Sequence, residues 1–152
     1  LNFRLKSKQG LTQSKYVIEK RWSPAATLRF GSEYWQSTSQ QSYRGLYGCL
    51  EDDNFSSFVE SEIYLSGALM ATIGMRYEYS MLLKKSGLAP RTAVAYKVGK
   101  HASVSAAYGI FFQKPEDNLL MYHTSLTAMK ATHYILSYQW QKTGKFLRME
   151  AF

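Results

Sequence analysis

Residues 69 to 81 read LMATIGMRYEYSM, and their character alternates with a period of two. One set is Leu69, Ala71, Ile73, Met75, Tyr77, Tyr79 and Met81; the other is Met70, Thr72, Gly74, Arg76 and Glu78. Successive strand side chains point to opposite faces, so this spacing predicts a strand with one apolar and one wet face. Residues 102 to 112 repeat the pattern, with Val104, Ala106, Tyr108, Ile110 and Phe112 opposite Ser103, Ser105, Ala107, Gly109 and Phe111. Between 58 and 65, Val59, Ile63 and Leu65 oppose Glu60 and Glu62. Helical spacing organises none of these stretches.

Outward from that segment, short turn signals fall at Ser23-Pro24-Ala25-Ala26, Ser66-Gly67, Gly99-Lys100 and Thr143-Gly144-Lys145. Glycine and proline punctuate chains there because they suit tight turns. Longer polar connections are predicted at about 42–54, 84–89 and 114–130, alternating with the short ones. The predicted strands are 14–22, 27–41, 55–65, 69–83, 90–98, 102–113, 131–142 and 145–152, with a further strand expected within 1–9. Many exceed the usual strand of about five or six residues and meet the nine to eleven that a tilted strand needs to cross a bilayer. The short turns are expected at one end of the sheet and the long connections at the other. The fold class expected is all-β: one region, residues 1–152, forming an antiparallel up-and-down transmembrane β-barrel segment of about eight strands.

The wet face supports that choice over a soluble sandwich. Glu33, Glu60, Glu62, Arg76, Glu78, Lys97, Arg148 and Glu150 all fall mid-strand and are expected to face a watery lumen. Trp22, Tyr34, Trp35, Tyr79 and Trp140 lie near strand ends and are expected to form interfacial girdles. The chain has 12 Tyr, 8 Phe and 3 Trp, more aromatics than a plain core needs. Tyrosine suits surfaces that are dry on one side and wet on the other.

Composition excludes several classes. No run of 18 apolar residues exists, so no membrane helix is expected. The net charge is +8, and Arg4, Lys6, Lys8, Lys15, Lys20 and Arg21 cluster near the start against Glu19 alone. No recognition helix, zinc spacing or RNA-binding aromatic signature accompanies them, so nucleic acid is not an expected partner. Cys49 is the single cysteine and can form no intrachain disulfide. His101, His123 and His133 are widely spaced and lack a paired-ligand motif. No nucleophile elbow, P-loop or dinucleotide fingerprint appears, and neither enzymatic activity nor a cofactor or metal is expected. Glu51, Asp52 and Asp53 form an acidic run, but not with the spacing of a dedicated calcium loop. Tyr43, Tyr47, Asp52, Asp53, Tyr122 and His123 are the candidates for contacting a substrate from the long connections.

Residues 105–115, SAAYGIFFQKP, together with ATHYILSYQ at 131–139 and APRTAVAYK at 89–97, resemble the later barrel strands of TonB-dependent receptors, particularly the Bacteroidetes kind. Ala107, Tyr108, Gly109, Phe112, Gln113 and Pro115 carry the sharpest likeness, a strand whose Pro opens an extracellular loop. KYVIEKRWSPAATLRFGSEYWQS at 15–37 resembles a family hairpin crossing at a periplasmic turn. The chain departs from the family at Met129 and near Ile135, where members often carry Glu.

The resemblance implies a place in the wall of an outer-membrane transporter for an extracellular nutrient. It also implies partners: outer-membrane lipid, the remainder of the barrel with its plug domain, and an inner-membrane energy-coupling protein acting through that plug. Family barrels have some twenty-two strands, so this chain is expected to be a fragment that does not close alone. Two other readings stay open. One is a self-contained eight-stranded outer-membrane barrel serving as an anchor, adhesin or small enzyme. The other is a soluble lipid-carrier barrel with its apolar face turned inward.

Overall fold

The computed structural model describes residues 5–43, 46–120 and 126–152. Eight strands follow in order: β1 (Leu5–Ser23), β2 (Ala26–Tyr43), β3 (Leu46–Tyr64), β4 (Leu69–Ser80), β5 (Lys85–Val98), β6 (Ala102–Gln113), β7 (Met129–Lys142) and β8 (Lys145–Ala151). One short helix, α1 (Asp117–Leu120), lies between β6 and β7. Each strand pairs antiparallel with its sequence neighbours, giving a single up-and-down sheet. Among the described residues, β1 and β8 do not pair with each other, so the sheet has two open edges.

The short turns lie together, as the alternation predicts. The Tyr64 amide donates to the Ala25 carbonyl (2.7 Å), Lys97 to Ala68 (2.8 Å) and Gln141 to His101 (2.8 Å), tying successive turns along one end. Opposite them are the ends of β2 and β3 at Tyr43 and Leu46, a turn at 81–84 and the end of β6 at Gln113. In the last short turn Thr143 and Gly144 have φ of 41° and 74°. Two consecutive positive φ values match the twist of a two-residue hairpin, a conformation that costs a β-branched residue more than glycine.

Three sequence expectations are corrected. Residues 42–54 are not a long loop: β2 runs to Tyr43 and β3 starts at Leu46, with continuous pairing from Tyr43↔Leu46 to Ala26↔Ile63. Within the expected strand at 1–9, the described residues from Leu5 onward are not separate but belong to β1. The 84–89 connection is the turn at 81–84, and β5 begins at Lys85. Pro90 is tolerated within β5 because pairing with β6 starts only at Arg91↔Gly109. Lacking an N–H, proline is confined to such unladdered positions. The ring of Phe112 fills the resulting gap against Gly87, where any Cβ would lie 2.6 Å from it.

The surface is inverted relative to a water-soluble domain. The chain exposes 11441 Å², against roughly 7,900 Å² expected for a folded monomer of this mass. A single-layer sheet explains the excess. Register places Ile73, Met75, Tyr77, Val94, Tyr96, Tyr108, Tyr134, Leu136 and Met149 on one face. That face is open, with Ile73 at 59% and Tyr134 at 68% exposure. Among the described residues, every buried strand residue (Ser39, Leu50, Asp52, Ser56, Ala89 and Gly109) lies on the opposite, charged face.

Candidate functional site

The charged face is the candidate site, and register builds it. Glu33 pairs with Ser56, Ser56 with Glu78, Glu60 with Gly74 and Glu62 with Thr72, so β2, β3 and β4 present these residues to one side. Arg76 faces Ala89, and Lys97 faces Ser103. Ser137 faces Glu150 and Gln139 faces Arg148. All eight charges read from the sequence therefore share one face.

Their centre is Arg76. Its guanidinium lies 2.7 Å from Glu78, 2.7 Å from the Ser56 hydroxyl and 3.2 Å from Glu33. Gln13 donates to the other oxygen of Glu33. Closer to the short turns, Arg29 bonds Glu19 at 2.6 Å and approaches Glu60 at 3.6 Å. On the far strands Arg148 pairs with Glu150, which also accepts from Ser137 at 3.0 Å. Arg91 sits 4.6 Å from the centre of the Phe111 ring, and His133 meets the edge of that ring at 5.0 Å. Arg29 shares strand parity with Glu33, and Arg91 with Lys97, although neither was among the expected lumen charges; Glu19 joins them through the β1–β2 register.

At the end opposite the short turns, Lys114, the residue that follows β6, reaches this face. Lys114 Nζ lies 2.8 Å from Oδ2 of Asp52, whose side chain is 1% exposed. The contact is an ion pair and is not aligned as a hydrogen bond. The Lys114 ammonium also lies 6.0 Å from the centre of the Trp35 ring. Trp35 pairs with Asn54 and so stands on the charged face. That corrects its girdle assignment: neighbours in a strand cannot both face lipid, and Tyr34 takes the apolar side. Tyr34, Tyr79 and Trp140 share the apolar face, and Trp22, at the irregularity between Arg21 and Ser23, lies 5.1 Å from the ammonium of Lys20 on that face.

Of the expected substrate contacts, the described Tyr47, Asp52 and Asp53 do not all share one face. Alternation turns Asp52 to the charged face and sends Tyr47 and Asp53 to the other. The acidic run therefore cannot converge on a cation, and no metal-holding cluster exists among the described residues. The Tyr43 backbone ends β2 at the sheet tip, while its side chain, Tyr122 and His123 lie outside the described residues. Chemically, the face offers a wall on which several charges of opposite sign are paired.

No protein-family model matches the sequence, and no curated protein does. Solved structures do match. The ferric enterobactin receptor of Pseudomonas aeruginosa superposes with a TM-score of 0.78 at 12% identity, over 96% of this chain and 26% of that one. The fold is a section of an outer-membrane receptor barrel. The siderophore receptor PirA of Pseudomonas aeruginosa shares this receptor-barrel fold, with a TM-score of 0.78 and 17% identity over 95% of this chain and 30% of that one. The outer membrane transporter YddB of Escherichia coli gives 0.70 and 15% over 93% and 25%. The chain thus spans less than a third of the length of these receptor-barrel neighbours.

Proposed function

We propose that this chain is part of the barrel wall of a TonB-dependent transporter in the bacterial outer membrane, passing an extracellular nutrient inward. The carrying observation is the pairing of an open apolar face with a charged face that holds all the buried strand residues. Lipid satisfies the first face and a hydrated lumen the second. On this reading Glu33, Glu60, Glu62, Arg76, Glu78, Lys97, Arg148 and Glu150 line the lumen. The remainder of the barrel covers the edges of β1 and β8, and a plug domain lies against the charged face and couples to the inner-membrane energy protein. The chain itself is not an enzyme and does not bind nucleic acid. Likeness to siderophore receptors favours a small chelate-like nutrient, and the 105–115 motif favours the Bacteroidetes type of transporter. The open edges disfavour a self-contained eight-stranded barrel, because lipid cannot satisfy unpaired backbone groups.

Nitroxide labels test the assignment. They are introduced through Ile73→Cys or Thr72→Cys, each in a Cys49→Ser background of the complete protein in outer-membrane vesicles. The label at 73 is expected to be relaxed by oxygen and the label at 72 by a water-soluble nickel chelate. Equal accessibility of both labels to nickel would refute the reading.

A further inference from the structure

The apolar face is not uniform. A groove of about 610 Å³ runs over β5, β6 and β7 to the end of β8. Its floor is Ala106, set between the larger Val94 and Leu136 by register. Tyr108 and Tyr134, with ring centroids 5.2 Å apart, close the end farther from the short turns. Toward the turns the same face continues through Val104 and Tyr138 to Trp140 and Leu147, and ends at Lys142 paired with Lys145. Tyr134 to Lys142 is eight residues, about 27 Å along a strand and about 19 Å in depth at a 45° tilt. One leaflet supplies about 15 Å of hydrocarbon plus its headgroup layer.

The two lysines are exposed, and neither has a partner among the described residues. Like charges directly opposite across a hairpin repel. No carboxylate shares this face on β4 to β8. Trp140 stands beside them, the residue type that settles at headgroup level. An anionic group at the turn with an apolar tail along the groove complements both features.

We propose that Lys142, Lys145 and the groove over Ala106 bind an anionic phospholipid of the leaflet on the short-turn side. The phosphate sits between the two ammonium groups, and an acyl chain lies over Ala106 against the Tyr108–Tyr134 pair. The proposal rests on the lipid-facing assignment of this face.

Native mass spectrometry of the complete protein, released from detergent with phosphatidylglycerol or phosphatidylethanolamine, tests it. The parent protein is expected to retain phosphatidylglycerol preferentially. Lys142→Gln and Lys145→Gln are each expected to weaken retention roughly fivefold, and Ala106→Leu to weaken it by filling the groove. Lys97→Gln, at the same end but on the charged face, is expected to leave retention unchanged. Parent-level retention by the Lys142→Gln/Lys145→Gln double variant, or equal loss in Lys97→Gln, would overturn the site. A nitroxide introduced through Leu147→Cys in the Cys49→Ser background separates the two levels of inference. Relaxation by oxygen there, with retention unaffected by the lysines, defeats only the lipid site. Relaxation by nickel defeats the lipid-facing assignment itself.

Discussion

The guanidinium of Arg76 on β4 reaches across β3 to Glu33 on β2, closing to 3.2 Å with the Ser56 hydroxyl bonded between them. Three strands are thereby stitched on the charged face, and both charged side chains are largely shielded, at 21% and 13% exposure. Such coupling shows in a double-mutant cycle. Arg76→Gln and Glu33→Gln, made singly and together, are expected to show an interaction of about 1–2 kcal/mol in urea unfolding of the membrane-inserted protein. Additive effects would mean the pair contributes nothing as a pair.

The two faces differ in what they tolerate. Ile73→Arg places a charge in lipid at an expected cost of about 2–4 kcal/mol near the midplane. Thr72→Arg, one residue away, points to the charged face beside Glu62. Heat-modifiable gel mobility of the assembled protein is expected to survive the second change and to fall sharply with the first.

Thr143 holds φ at 41° in the β7–β8 turn. A β-branched residue is strained there, whereas asparagine adopts left-handed backbone readily. Thr143→Asn is therefore expected to stabilise the hairpin by about 1 kcal/mol, seen as a raised urea midpoint with an unchanged slope. A lower midpoint would show that the threonine side chain has a compensating role.

Lys114 neutralises Asp52, a carboxylate at 1% exposure. Removing one partner of a buried pair leaves an uncompensated charge, at a cost of about 3–5 kcal/mol. Lys114→Met is expected to release the connection following β6, with faster hydrogen exchange at Leu119 and Leu120, whose amides bond to Glu116. Adding Asp52→Asn is expected to restore much of the protection.

What the sequence revealed and what it hid have one physical cause. Alternation is visible only where one face is apolar, so the strands around Ile73 and Val104 were legible, with their turns and the sidedness of the eight charges. In β3 before Phe55, polar residues fall on both faces. Tyr47, Cys49, Glu51 and Asp53 on one side and Gly48, Leu50, Asp52 and Asn54 on the other carry little contrast, and residues 42–54 read as loop. Trp35 was misplaced for a different reason. Its aromatic character suggested lipid, while its position next to Tyr34 already required the other side. The Asp52–Lys114 pair joins residues far apart in sequence, and no local pattern announces it.

The length of β1, β2 and β3 has a consequence for how this molecule meets its surroundings. On the proposed orientation, the continuous pairing of β2 with β3 holds their outer residues at a fixed height above the membrane. Cys49 is exposed on this projection, six residues past Phe55 and therefore roughly 20 Å farther along the strand. A bulky, membrane-impermeant maleimide applied to living cells is expected to reach it without permeabilisation, giving a handle for following the protein at the cell surface by fluorescence.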